Sequence, residues 1–160
     1  MSDNLTTYLN DHLAGATAGL ELVEALRDQH ADEPLGRFAA QLSSEIEADR
    51  HTLEELAERV GPGGSPLKEA GAWLAEKVSR LKLGRPAAGE LGTFEALEAL
   101  ALGILGKKAL WDALEAAASQ DPRLSGLKFG ELSRRAQAQH ARVEDERLTT
   151  ARTALRPAGE

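Results

Sequence analysis

Residues 94–114, FEALEALALGILGKKALWDAL, constrain the fold more than any other stretch of this chain. They are apolar around nearly the whole helical circumference, yet they carry Glu98 and Lys107 inside the apolar lattice. A helix of that kind is expected in the middle of a helical domain, wrapped by others. Its inward charges need partners there, because an unpaired buried charge costs more than a small domain tolerates. The chain therefore reads as all-α, a helical bundle with a polar layer in its core.

Composition agrees where it bears on the question. A chain of 160 residues is long enough for one sizeable core and too short for two ordinary domains, so residues 1–160 are expected to form a single domain. Aromatics make up 4% and the six prolines fall between or at the ends of periodic segments, as in helix-forming sequences. A net charge of −7 argues against nucleic acid as a partner, since phosphate binding asks for a basic face. With no cysteine there are no disulfides, no thiolate chemistry and no zinc–thiolate site. Residues 1–5 lack a basic-then-apolar leader pattern. The longest uncharged apolar run, residues 99–106, is far shorter than the ~20 residues a membrane span needs, so the reading is a cytoplasmic protein without a membrane partner.

Four long helices and one short one follow from the spacing of apolar residues. The first should start near Asp3, a plausible cap, and run to about residue 30 on a seam of Leu5, Leu9, His12, Ala16, Gly19, Val23 and Leu26. Asp32 and Pro34 open the second, whose seam reads Leu35, Phe38, Leu42, Glu45 with Ile46, Asp49, Leu53, Leu56 and Val60 before GPGGSP stops it at Gly61. These two make an antiparallel hairpin over about residues 3–60. Ser65 and Pro66 cap a shorter helix, about 66–83, suited to a crossover. A second hairpin, about 91–156, is broken at Asp121-Pro122, and its last helix has a seam of Leu132, Ala136, Gln139, Val143, Arg147, Ala151 and Leu155.

Two hairpins joined through a short helix, with polar residues projecting inward from all four long helices, resemble the ferritin-like four-helix bundle. That resemblance implies one long crossover and an up-down-down-up order. The segments DHLAG, EKVSRLKL and LALGILGKKALW also resemble an uncharacterised bacterial family, which implies no activity. Ferritin-like proteins that hold two irons use a Glu from each of two helices and a Glu-x-x-His pair from each of the others, since i,i+3 spacing sets both side chains over one metal. This chain contains no Glu-x-x-His. Its nearest pairs, Glu47 with His51 and His140 with Glu144, are spaced i,i+4. The resemblance thus implies the fold and leaves the metal chemistry in doubt.

The expected interior polar layer comprises His12, Glu45, Asp49, Glu98, Lys107, Gln139 and Arg147. Carboxylates and a histidine converging in a bundle could hold a hard divalent metal. The same set holds its own cations, however, so Lys107 and Arg147 can neutralise Glu98, Asp49 and Glu45 without one. His12, alone among apolar positions, reads as a hydrogen-bonded core residue. GILGKK, residues 103–108, lacks the spacing, the following Ser or Thr and the preceding strand of a phosphate loop, so Gly103 and Gly106 read as points of close helix approach. Basic runs at Lys77, Arg80, Lys82 and Arg85, and along the last helix, read as solvated faces interleaved with acids.

The expectation is a non-catalytic structural or partner-binding protein, with no catalytic residues, no metal ligands and no cofactor. Two alternatives stay open: a divergent iron- or manganese-binding oxidase or storage protein using Glu45, Asp49, Glu98 and His12, and a small-molecule binder with a pocket near Trp111 and Trp73. Leu13 and Leu20, read as exposed, suggest a further packing surface and a homodimer.

Overall fold

The computed structural model describes residues 3–62, 76 and 89–159. Among them are four long α-helices and no strand: α1 (Asn4–Gln29), α2 (Pro34–Val60), α3 (Gly89–Ala117) and α4 (Phe129–Ala154), with a 3-10 turn at Pro122–Leu124. The expected crossover helix at about 66–83, its caps Ser65 and Pro66, the nearby basic run and Trp73 lie outside the described residues. No helix among the described residues is long and apolar enough to cross a membrane.

Local chemistry sets the helix ends. The Asp3 carboxylate accepts from the Thr6 amide at 2.8 Å and so caps α1. Pro34 occupies the start of α2, where a missing N–H costs nothing. Asp32, expected to open this helix, instead sits in the turn at φ 70°, and Glu33 is the N-cap residue, without a side-chain cap. Glu33 accepts from His30 instead. This turn is tight enough to require glycine: a Cβ on Gly36 would stand 1.9 Å from the His30 carbonyl oxygen. At the other end of α2, Gly61 takes φ 136° and ends the helix, as the glycine-rich run predicts.

Two pairs, α1 with α2 and α3 with α4, pack along their lengths, and across the pairs α3 chiefly meets α1. End contacts fix the directions. His30, closing α1, meets the Thr93 hydroxyl near the start of α3 at 3.1 Å, while Asp3, before α1, pairs with Arg123 in the α3–α4 turn. α1 and α4 therefore run one way, α2 and α3 the other, and Val60 and Gly89 lie at opposite ends of the bundle.

The core is aliphatic, centred on leucines 9, 22, 26, 42, 56, 97, 110 and 114, with Trp111 stacked on Phe129 at 6.1 Å. The apolar surplus of α3 does not come from being wrapped on all sides. Leu91, Leu102 and Leu105 stand exposed on it. Leu13 and Leu20, read as exposed, are half-buried against the core, because α1 lies against both α2 and α3.

Candidate functional site

Midway along the bundle, three helices contribute to one hydrogen-bonded layer. On α2, Glu45 and Asp49 are spaced i,i+4 and share a face. α3 brings Lys107 and α4 brings Gln139, which is fully buried. The Lys107 ammonium donates to Asp49 Oδ2 at 2.7 Å and to the Gln139 side-chain carbonyl. The Gln139 amide in turn donates to Asp49 and to Glu45, each at 3.1 Å. Arg142 donates to Glu45 at 2.6 Å, and Arg135 places its Nε 3.4 Å from Asp49 while donating to the Glu45 backbone carbonyl. Both carboxylates are thus held by cations and by an amide that fixes their spacing.

Titration directions follow from these partners. Burial pushes the Lys107 ammonium below the usual lysine range, with the Asp49 charge and hydrogen bond working against that shift. At Glu45 burial acts upward, but the hydrogen bonds from Arg142 and Gln139 prevail and hold the carboxyl below its ordinary value.

The other residues expected in this layer stand elsewhere. Glu98, read as interior, has an exposed side chain (49%), and Arg147, its partner at 3.1 Å, also clasps Glu144 at 2.8 and 2.9 Å. The Arg147 guanidinium lies over the Phe94 ring, 5.8 Å from its centroid. Helical geometry explains the displacement: nine residues separate Glu98 from Lys107, about two and a half turns, so they leave α3 on opposite faces. His12 is half-buried on α1, edge-on to Tyr8 at 4.7 Å, and burial pushes its imidazole below the usual range, opposed by Asp11. No hydrogen bond or ion pair among the described residues joins His12 to Glu45 or Asp49. Of the two i,i+4 pairs read as substitutes for Glu-x-x-His, His51 pairs with Glu55 on an exposed face, and the Glu144 beside His140 is taken by Arg147. Among the described residues no group of three or more His, Asp or Glu comes together in a metal-sized cluster.

Beside the layer lies a cavity of about 270 Å³ between α1, α2 and α3. Its wall on α1 includes Gly15 and Gly19, and its wall on α3 includes Gly103 and Gly106. A Cβ added at any of the four would meet no atom within 4 Å. Gly103 and Gly106 therefore do not serve close helix approach, as their spacing suggested: they keep room open. Asp49, Lys107 and Trp111 border the same cavity, and so does His12, which faces it from α1 without a bond to Asp49 among the described residues. Sequence reading missed the Arg135 and Arg142 roles by treating them as a solvated face. Their spacing of four and three around Gln139 was the available signal. No family model, curated protein or solved structure matches the chain, so the site is read from its own geometry.

Proposed function

We propose that this chain is a non-catalytic, ferritin-like bundle that works by binding, with a charge-paired layer where proteins of that fold hold metal. The Lys107 ammonium seated 2.7 Å from Asp49, with Gln139 as its second acceptor, carries the reading. A buried carboxylate already shared between Lys107 and Arg135 has its charge met, and a divalent ion placed there would face both cations. The opposed directions of the two inner helices and the two outer ones support the ferritin-like order, in which a long crossover returns the chain from the end of α2 to the start of α3. The Lys107 ammonium, bonded to an acid and an amide, is held as a cation and not as a free amine nucleophile.

Protein purified without chelator or affinity tag is expected to contain well below one iron or manganese per chain and to leave ferrous iron unoxidised. Stoichiometric metal that disappears in Asp49→Ala would replace this reading with the metal-binding one.

A further inference from the structure

We infer that the cavity between α1, α2 and α3 binds an apolar monocarboxylate, its carboxylate held by the Lys107 ammonium and its body lying between the glycines of α1 and α3. The inference rests on the binding reading above and supplies its ligand.

Size comes first. A cavity of roughly 150 Å³ accepts one benzene ring, so by proportion 270 Å³ accepts a body of about ten non-hydrogen atoms. The room is part of the design of two facing helices, since four separate glycines leave it and none is needed there for backbone conformation or for close packing. Leu53, Leu100, Ile104 and Leu110 line it with aliphatic surface.

Polarity is confined to particular points. On α3, Gly103, Lys107 and Trp111 follow one another at intervals of four and share one face, which offers open space, a charge and a donor in succession. An ammonium has three N–H donors. Asp49 and Gln139 engage two at Lys107, and the third meets no acceptor among the described residues. Trp111 is 1% exposed, and its buried indole N–H meets no acceptor among the described residues. A buried donor left unpaired is costly, so a ligand that brings an acceptor relieves what the protein cannot.

Charge selects the head group. The layer sets three cations, Lys107, Arg135 and Arg142, against two carboxylates, Asp49 and Glu45. Asp11 and Arg50 also border the cavity with opposite signs, and Arg50 lies 3.8 and 3.7 Å from Glu47 and Glu54. Arg142 holds Glu45, and Arg135 shares Asp49 with Lys107, so Asp49 does not cancel Lys107 alone and the layer's net positive charge favours an anion at that end of the cavity.

Octanoate, 1-octanol and octylammonium share one tail and differ in the head, and they test the assignment on the full chain carrying Trp73→Phe, which leaves Trp111 as the sole tryptophan. Titrations in chelator, followed by calorimetry and Trp111 fluorescence, are expected to show octanoate binding at least about tenfold more tightly than the other two. Gly103→Leu, which occupies the cavity, should weaken octanoate at least about tenfold in a chain that still melts cooperatively. Lys107→Met should reduce octanoate to the level of octanol. Because Lys107→Met also disturbs the layer, the head-group series on unaltered Lys107 stands as a test by itself. Equal binding of octanoate and octylammonium, no saturable binding of any of the three, or undiminished octanoate binding to Gly103→Leu would overturn the assignment. Metal at Asp49 would overturn the non-catalytic reading alone, since chelator removes it from these titrations.

Discussion

Glu98 and Lys107 sit on one helix, both within the same apolar run of residues 94–114, and they end in opposite environments. Lys107 enters the interior, meets Asp49 and Gln139, and keeps 14% of its side chain exposed. Glu98 stays at the surface with Arg147, which divides itself between Glu98 and Glu144. A charge in an apolar run is therefore not by itself an interior charge. What decides is the face on which it leaves the helix and whether the neighbouring helices bring partners to that face. The inner layer draws on α2, α3 and α4, while the outer one joins only α3 to α4.

The inner layer should therefore be far more sensitive to substitution than the outer. Asp49→Ala leaves the buried Lys107 without its counter-charge, and equilibrium urea unfolding is expected to show a loss of about 3–5 kcal/mol. Replacing Asp49 and Lys107 together by Leu and Met should recover much of it. A loss below ~1 kcal/mol in the single variant would erase the distinction between the layers.

A smaller effect is expected at Glu45, whose carboxyl the hydrogen bonds from Arg142 and Gln139 hold below the ordinary glutamate range against the upward push of burial. A depressed folded value means the unfolded chain takes up the proton first, so the stabilisation is complete above about pH 4.5 and fades as pH falls through the folded value. Glu45→Gln should cost about 1.5–3 kcal/mol at neutral pH, and the gap to the parent should narrow on acidification. Denaturant midpoints of both proteins from neutral to acid pH check the sign, and a gap that widened in acid would reverse it.

The least effect belongs to the outer layer. Glu98→Gln should change stability by less than ~0.5 kcal/mol, and added salt should shrink even that, as for other exposed pairs. If Glu98→Gln cost as much as Asp49→Ala, the outer pair would have to be counted with the core.

Much of the scaffold was legible in the sequence because its signals are local. The Asp3 cap, Pro34 at a helix start, the glycine stop at residue 61 and the Asp121-Pro122 break all appear where spacing and turn chemistry put them. Asp49, Lys107 and Gln139 likewise come together from seam positions on three helices. The rest depends on relative rotation of helices, which one-dimensional spacing conveys poorly. Glu98 shows this best, since its angular offset from Lys107 could have been counted from the sequence, yet only packing tells which face is the inner one. Arg135 and Arg142 look like surface residues by composition, and it is their reach along α4 toward α2 that recruits them. A pocket near Trp111 was among the readings of the sequence, but its glycine walls were not, because a glycine signals either close packing or open space and only the distance to the opposite wall tells which.

The Asp3 carboxylate has a consequence for hydrogen exchange. One oxygen accepts from the Thr6 amide and the other from Arg123, 120 residues away, and together they hold the Asp3 carboxyl down at about 2. The first turn of a helix ordinarily frays by itself and its amides exchange quickly. Here the Thr6 amide shares its acceptor with the turn between α3 and α4. Its protection factor becomes a reporter of whether the second helix pair is docked, so one amide near the start of the chain follows the opening of a region that begins more than eighty residues later.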